Sequence, residues 1–404
     1  MSCPKPSPNV CAAWPHRPES IMAEPTFGTG PSTGGSWSAP GRVNLIGEHT
    51  DYNNGLALPI AIGQRTTVEA VPADDGVYRV SSAGHGQEVL FGPQTQPGEV
   101  TGWAAYVAGT VWALGELGVP LVPGSFTISS EVPTGAGLSS SAALECAVAC
   151  GVLGLAGRGL DRHSLATATQ RAENVYVGAP TGGMDQLASA FGRAGSALLV
   201  DVGADSLEQV PFELTESGLE LLVIDTGSSH SHADGEYGAR RRSCEQAAAA
   251  LGVASLRDVQ DAPLAETLAS LAGLDDGTIA RRVRHVITEN ARVERTVALL
   301  REKRITEIGP LLLASHESLR DDYEVTVPVL DLAVDAAMAS GALGARMTGG
   351  GFGGSVIALV DAGLSESVAE GVSAAFVDAG HAAPTTRSVV PADGAGPLLP
   401  DTTP

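Results

Sequence analysis

Strand-like alternation and helical periodicity of apolar residues divide the chain into segments. Residues 41–46 and 56–71 alternate as strands do, and the Asn53-Asn54-Gly55 triplet between them is typical of a turn. This region is therefore predicted to form an opening hairpin.

The same patterns predict helices and strands throughout the rest of the chain, and no internal repeat is visible. Helices are predicted at 103–117, 142–155, 164–177, 237–251, 279–301, 307–319, 329–340 and 364–379. Strands are predicted at 126–131, 197–201, 221–225, 356–360 and 386–390.

The length of 404 residues exceeds what one hydrophobic core usually holds, so two lobes with an active site at their junction are expected. The candidate boundary lies within 201–219. The expected divisions are a disordered proline-rich tail at 1–24, an N-terminal lobe at 25–205, a C-terminal lobe at 206–397 and a tail at 398–404.

Composition narrows the class of protein. Hydrophobic residues make up 43% of the chain and charged residues 17%, and no apolar run reaches the roughly 18 residues of a membrane span. The first 25 residues hold six prolines and no continuous apolar segment, so a secretory signal is not expected. Five scattered cysteines favour reduced thiols, and the chain is expected to be soluble and cytoplasmic.

Charge excludes two ways of binding phosphate. A net charge of −22 opposes non-specific contact with nucleic acid or an anionic membrane. The chain has only two lysines, Lys5 and Lys303, and neither stands beside glycines as a Walker-type loop requires. Any bound phosphate must therefore be held by another arrangement.

A run of glycine and serine at 133–143, here called the serine loop, supplies that arrangement. It leads directly into an alanine-rich helix, so backbone N–H groups and a helix N-terminus could face phosphate oxygens. Its candidate phosphate-binding residues are Pro133, Gly135, Ala136, Gly137, Leu138, Ser139, Ser140 and Ser141. The alternative is an ordinary turn with a serine N-cap.

A second glycine-rich run at 347–354, here called the glycine loop, places five glycines around Phe352. Such a run is typical of backbone packed closely against another loop or a ligand. A plain flexible turn is the alternative.

The polar segment at 41–52 gathers Arg42, Glu48, His49 and Asp51 into a short strand and turn. Dense polar groups of this kind recognise sugar hydroxyls, because each buried hydroxyl needs hydrogen-bond partners. Two alternatives stay open, a polar turn whose side chains bond one another and a metal site, for which the ligand set is incomplete.

Two carboxylates, Glu173 and Asp185, follow the serine loop. Phosphoryl transfer needs a carboxylate on magnesium, another near the attacking hydroxyl, and a cation where charge develops, and Arg42 could be that cation. Taken alone, Glu173 could be solvated and Asp185 could be a helix cap. His230, Ser231, His232 and Asp234 are predicted to form a surface loop rather than a metal cluster, with the following Tyr237 reaching the substrate.

Together these motifs resemble the galactokinases of the GHMP kinase superfamily from about residue 27 to 396. The polar segment is similar to the galactokinase signature, whereas the serine loop is shared across the superfamily. The resemblance implies an α+β fold of two lobes with the active site between them. The proline-rich extension has no counterpart in it.

The resemblance also implies roles for individual residues. Arg42 and Asp185 would be the catalytic pair. The residues expected to contact the sugar are Arg42, Glu48, His49, Asp51, Gly183, Asp185 and Tyr237. Ser141 and Glu173 would bind Mg²⁺, with Trp103 near adenine and Ser81 and Ser82 in the same pocket.

The activity implied is Mg²⁺-dependent transfer of the ATP γ-phosphate to the C1 hydroxyl of galactose, which gives α-D-galactose 1-phosphate in the first committed step of the Leloir pathway. No nucleic-acid, membrane or obligate protein partner is expected. The alternatives are a kinase for N-acetylgalactosamine, galacturonate or arabinose, or a non-catalytic sensor of galactose and ATP; mevalonate and homoserine are disfavoured by the polar segment. Whether Asp185 is a base or an orienting anion stays open.

Overall fold

A computed structural model of the chain describes residues 33–179, 181–228 and 233–398. The predicted tail at 1–24, most of the tail at 398–404, and residues 230–232 of the predicted histidine loop lie outside the described residues, as does the side chain of Asp234. The description below concerns the described part of the chain.

Three β-sheets organise the fold. The strands are β1 (Gly35–Asn44), β2 (Leu56–Ala57), β3 (Pro59–Pro72), β4 (Tyr78–Ser82), β5 (Val89–Phe91), β6 (Gly124–Ser130), β7 (Ser196–Asp201), β8 (Ser206–Pro211), β9 (Leu219–Asp225), β10 (Gly344–Thr348), β11 (Ser355–Asp361), β12 (Thr385–Val389) and β13 (Gly396–Pro397). They form a six-stranded sheet ordered β13-β1-β3-β6-β4-β5, a four-stranded sheet ordered β10-β11-β9-β12, and a three-stranded sheet ordered β2-β7-β8.

Ten α-helices pack around these sheets in the described residues. They are α1 (Ala104–Glu116), α2 (Ser140–Ala156), α3 (Arg162–Arg171), α4 (Met184–Phe191), α5 (Ala233–Leu251), α6 (Leu264–Ser270), α7 (Thr278–Arg301), α8 (Gly309–Ser318), α9 (Pro328–Ala339) and α10 (Ser365–Asp378). Two π-helical turns, Ala172–Val177 and Leu319–Tyr323, follow α3 and α8. None of the described helices is both long and apolar enough to cross a bilayer.

Helix α2 crosses the six-stranded sheet against β1 and β3. Its alanine-rich sequence is buried almost all round, which lets the helix lie close to the sheet and to α1. Its first turn, which begins at Ser140, consequently ends up beside the point where β1 carries Arg42.

A bulge between Pro40 and Arg42 interrupts the pairing of β1 with β3. A Cβ on Gly41 would lie 2.7 Å from the Leu138 carbonyl oxygen, so only glycine allows this close approach. The N–H of Arg42 instead donates to that carbonyl over 3.1 Å. Bulges re-aim side chains, and this one directs Arg42 towards the serine loop.

The sequence predictions hold for most long elements and fail for several short ones. The antiparallel pairing of 41–46 with 56–71 is confirmed, but the first strand begins at Gly35, and β2 pairs with β7 instead of joining the hairpin. The helix predicted at 164–177 leaves α-geometry at Ala172. The prediction omitted β4, β5, β8, β10, α4 and α6, which are short or carry weak periodicity.

Candidate active site

A cavity of about 280 Å³ opens beside the polar segment. Its lining residues are Arg42, Glu48, His49, Asp51, Ala179, Thr181, Gly182, Met184, Asp185, Tyr237, Gly349, Gly350 and Gly351. Six of the seven predicted sugar-contacting residues are therefore brought together. Gly183 does not line the cavity; it precedes α4 with its α-carbon near Gln170, and its neighbour Gly182 forms the wall.

Arg42 and Asp185 form a two-pronged ion pair at the cavity. The guanidinium Nε and Nη2 donate to Oδ1 and Oδ2 of Asp185, each over 2.7 Å. Arg42 also donates to the Gly137 carbonyl over 2.6 Å, and the Ser139 hydroxyl donates to Asp185 Oδ2. Asp185 lies in the first turn of α4. The pair joins the polar segment to the serine loop.

The serine loop lies against the glycine loop and the start of β11. Ser355 donates a hydrogen bond of 2.7 Å to the Ala136 carbonyl, and a Cβ on Gly137 would lie 3.3 Å from the Thr348 carbonyl oxygen. The prediction that the glycine loop packs against another loop is confirmed. Ser139 adopts a left-handed conformation with φ of 56°, so the helix begins abruptly at Ser140.

A second cavity, of about 160 Å³, opens on the other side of the serine loop. It is lined by Thr66, Ser82, His85, Trp103, Tyr106, Ile128, Ser130, Thr134, Ser140, Ser141 and Leu144. Trp103 and Ser82, which are predicted to share a pocket, line this one cavity. Ser81 is not a lining residue: neighbouring side chains of a strand point to opposite faces, and on β4 it is Ser82 that faces the cavity.

Ser141 and Glu173, the predicted metal ligands, are adjacent. The Ser141 hydroxyl donates to the Glu173 carboxylate, which also accepts from Thr181 over 3.0 Å and from Gln186 over 2.7 Å. Burial, and then the charge of Asp185, raise the pKa of Glu173. No group of three or more His, Cys, Asp or Glu side chains within the described ranges could hold a metal ion. A cation here would need oxygens from a ligand.

Glu48 is only 3% exposed, and it spans from the polar segment to the glycine loop. Its Oε1 accepts from the Gly349 N–H over 2.7 Å and lies 3.5 Å from Nη2 of Arg346, which is wholly buried. Burial raises the pKa of Glu48, and the charges of Arg346 and Arg42 oppose part of that rise. Arg346 is thus a buried counter-ion that the sequence interpretation missed.

His49 has a hydrogen-bond partner at each ring nitrogen. Nε2 lies 3.2 Å from the Gly350 carbonyl oxygen, and Nδ1 lies 2.8 Å from the Tyr52 hydroxyl. Burial, with the neighbouring His285, lowers the pKa of His49 to about 3, so its ring is neutral. The ring of Tyr237 packs 5.3 Å from that of His49, which places both side chains on one wall.

Asp51 faces the cavity with fewer hydrogen-bond partners than Glu48 or His49, since its carboxylate accepts only from the Tyr52 N–H among the described residues. A Cβ on Gly182 would lie 1.7 Å from Oδ2 of Asp51, so glycine alone permits this contact. Loss of solvent, followed by repulsion from Asp185, raises the pKa of Asp51 to about 6. A ligand that donates a hydrogen bond would relieve this unfavourable charge.

Three buried polar side chains of α7 hold the backbone of the polar segment and of β2, which follows it, and sequence interpretation missed all three. Glu289 accepts from the Gly47 N–H over 3.0 Å, His285 donates to the Glu48 carbonyl over 3.1 Å, and Asn290 accepts from the Leu56 N–H over 2.9 Å. Burial alone would raise the pKa of Glu289, but the charge of Arg292 leads the effects that lower it to about 2. The only sequence signal was polar residues on the inward face of a helix.

Three family models match the chain. The galactokinase galactose-binding signature matches residues 24–72, the GHMP kinases N-terminal domain matches 105–193, and the GHMP kinases C-terminal domain matches 296–378. The first match contains the polar segment, and the second contains the serine loop and Asp185.

Whole-chain relatives agree with these matches. The chain is 50% identical to the galactokinase of Streptomyces coelicolor over 367 residues, which cover 90% of this chain and 94% of that protein. The crystal structure of Lactococcus lactis galactokinase complexed with galactose superposes with a TM-score of 0.84 at 31% identity, covering 90% of this chain and 95% of that one. Methanococcus jannaschii mevalonate kinase, at 17% identity and a TM-score of 0.63 over 89% of this chain and 99% of its own, shares the fold.

Proposed function

The chain belongs to the galactokinase family of GHMP kinases and is an ATP-dependent sugar kinase, and from this premise we propose that its acceptor is the C1 hydroxyl of D-galactose. The products would be α-D-galactose 1-phosphate and ADP. The observation that carries the proposal is the Arg42–Asp185 pair, which lies where the larger cavity meets the serine loop.

The larger cavity is proposed to hold the sugar. Its volume of about 280 Å³ is at the small end of ligand pockets, as expected for a monosaccharide. Glu48, Asp51 and Asp185 offer carboxylate oxygens to sugar hydroxyls, and Tyr237 offers a ring face and a hydroxyl. The contact with the sugar that was expected from Gly183 is proposed for the backbone of Gly182, which lines the cavity.

The smaller cavity is proposed to hold the adenine end of ATP beside Trp103, with the phosphates along the serine loop. Ser140 and Ser141 begin α2, where free N–H groups and the helix dipole favour a negative charge. No lysine is needed for this grip. The terminal phosphate would then point towards Arg42.

Asp185 is proposed to orient the attacking hydroxyl. Both of its carboxylate oxygens already accept hydrogen bonds from Arg42, and Oδ2 accepts another from Ser139. An anion held in this way can align the hydroxyl for in-line attack, while the Arg42 charge stabilises the transferring group. This arrangement suits orientation better than proton removal.

Ser141 and Glu173 fit Mg²⁺, which prefers oxygen ligands and commonly takes one or two carboxylates together with substrate phosphates. When bound with ATP, the ion would neutralise charge on the phosphates. Gln186 and Thr181 fix the Glu173 carboxylate by donating to it, so it is oriented before any ligand arrives.

Two further assignments remain proposals. The division of the chain near residue 205 into two lobes is supported by the cavity, whose lining comes from both sides of that point. A cytoplasmic setting is supported by Cys146, Cys150 and Cys244, which are buried and free.

The test is ADP release by the purified chain with ATP and Mg²⁺ over a panel of galactose, N-acetylgalactosamine, galacturonate, arabinose and mevalonate. We expect galactose to give the highest kcat/KM, with phosphate on C1 by NMR. Preference for another sugar would overturn the acceptor assignment. Binding of galactose and ATP without turnover would instead identify a sensor.

A further inference from the structure

A chain of buried and part-buried hydrogen bonds runs behind the cavity wall and reaches His49. The Gly350 carbonyl lies 3.2 Å from His49 Nε2, and His49 Nδ1 lies 2.8 Å from the Tyr52 hydroxyl. The Tyr52 and Tyr323 hydroxyls are 2.7 Å apart, and the Cys244 thiol lies 3.2 Å from that of Tyr323. Tyr323 and Cys244 are at most 2% exposed.

The chemistry of these groups gives the chain one direction. A carbonyl oxygen only accepts hydrogen bonds. His49 Nε2 must therefore carry the ring proton and donate a hydrogen bond to the Gly350 carbonyl. Because His49 is neutral, its Nδ1 then has a free lone pair and accepts from the Tyr52 hydroxyl. The Tyr52 oxygen in turn accepts from Tyr323, whose oxygen accepts from the Cys244 thiol.

We infer that Tyr52 and Tyr323 are positioning residues for sugar recognition, and that they act through His49 by holding its ring orientation through the hydrogen bond at Nδ1. The inference rests on the proposed function, in which the cavity holds the sugar. In the other tautomer, the lone pairs of Nε2 and of the Gly350 carbonyl oxygen would oppose each other, and Nδ1 would donate to the Tyr52 oxygen instead of accepting from it. Both His49 and Gly350 form cavity wall, so a reoriented ring would change the surface that the sugar meets.

Two further observations support a positioning role for Tyr323. It closes the π-helical turn Leu319–Tyr323, an irregularity that is frequent at functional sites. Its ring also packs between those of His49 and His285, with centroids 4.8 Å and 4.5 Å away. His285 is the residue that donates to the Glu48 carbonyl, so one tyrosine supports two neighbouring positions of the polar segment.

The kinetic test compares Tyr52→Phe, Tyr323→Phe and the double variant. Tyr52→Phe should raise the KM for galactose about tenfold, because His49 Nδ1 loses its donor, while kcat and the KM for ATP stay within about twofold. Tyr323→Phe should raise it less, about threefold. The double variant should match Tyr52→Phe, since the Tyr323 hydroxyl reaches His49 only through Tyr52 and phenylalanine keeps the ring that packs on His49.

The matched control is Tyr176→Phe. Tyr176 is also buried and its hydroxyl bonds to Thr95, but it lines neither cavity. It should leave the KM for galactose unchanged. Unchanged KM in both Tyr52 and Tyr323 variants, or equal rises in the KM for galactose and for ATP, would overturn the inference.

A spectroscopic measurement decides the tautomer directly. Nitrogen-15 shifts of His49 in the ligand-free protein, assigned by their loss in His49→Asn, should show a protonated Nε2 in the wild type and in Tyr52→Phe, with the unprotonated Nδ1 moving downfield in Tyr52→Phe because its lone pair loses the Tyr52 donor. A protonated Nδ1 in the wild type would overturn the inference. If the wild type fails to phosphorylate galactose, the proposed function fails. The nitrogen-15 shifts of His49 still show whether Tyr52 positions its ring.

Discussion

The two ends of the polar segment are held by different parts of the chain. At its beginning, Arg42 is fixed by Asp185 and the Gly137 carbonyl, which follow it by 143 and 95 residues. At its end, Gly47 and Glu48 are fixed by groups 237 to 301 residues away, on α7 and the glycine loop.

Under the proposed function, the difference teaches that phosphoryl transfer and sugar recognition would have separate supports within twelve residues of sequence. The Arg42 end is held by an ion pair between side chains, in which the Asp185 side chain remains 24% exposed and open to substrate. The Glu48–His49 end is buried and held largely through backbone groups. Changes at the first end should therefore act mainly on kcat, and changes at the second mainly on the KM for galactose.

The largest effect is expected for Asp185→Ala. Without the carboxylate the attacking hydroxyl has no orienting anion and Arg42 loses its partner, so kcat should fall about 10³-fold or more. Turnover by ADP release and folding by circular dichroism would measure this. Asp201→Ala is the matched control, because it also breaks an ion pair, with Arg257 at 3.1 Å, away from the site. Activity within tenfold of the wild type would refute the role of Asp185.

Arg42→Lys keeps the charge but removes the planar fork that binds both Asp185 oxygens. The kcat should fall about 10²-fold, with a smaller change in the KM for galactose. Arg65→Lys, on the paired strand β3, serves as the control. A rise in KM with kcat preserved would contradict the separation of the two ends.

Asp51→Asn should change binding and stability in opposite directions. The KM for galactose should rise about tenfold or more, because an acceptor oxygen is lost. A folded-state pKa raised to about 6 means that ionised Asp51 destabilises the protein as pH rises through that value. The variant should therefore be more stable than the wild type by about 1–2 kcal/mol at pH 8, and the gain should shrink towards pH 4. Urea unfolding at both pH values measures this, and a gain that is larger at pH 4 would contradict it.

The smallest effect on activity is expected for His285→Gln, which retains a donor for the Glu48 carbonyl. Burial leads the effects that lower the pKa of His285 to about 4, so its contribution to stability is present above pH 6.5 and is lost as pH falls. Between pH 7 and 5 the wild type should lose about 2 kcal/mol more unfolding free energy than the variant. Parallel pH curves would show that folding does not lower the pKa of His285.

The sequence predicted the long, regular elements and the motifs whose chemistry is local. Residues 41–46 and 56–71 pair as predicted, although only the second half of β3 alternates between buried and more exposed residues, whereas 41–46 are buried throughout. The break of α-geometry at Ala172 was invisible, since π-turns depend on packing that periodicity does not encode. Strand β10 was omitted for a different reason. All five of its residues are buried, so the strand shows no alternation.

The candidate site was predicted in its residue types and corrected in its details. Arg42, Asp185 and the serine loop come together because the bulge at Gly41 and the start of α4 aim them at one point. The predicted residues Ser81 and Gly183 line neither cavity, whereas their neighbours Ser82 and Gly182 each line one. A shift of one residue reverses which side of the backbone faces the cavity.

By itself the sequence determined which groups are available for the chemistry, namely a carboxylate-rich polar segment, a phosphate grip without lysine, and two acidic residues after it. Only the tertiary structure decided which of them are charged and how they are held. Arg346, Glu289 and Tyr323 lie far along the chain, and their effects on Glu48 and His49 depend on burial and on distances of a few ångströms. Electrostatic and hydrogen-bond energies depend on that local geometry, so no pattern within the polar segment could reveal them.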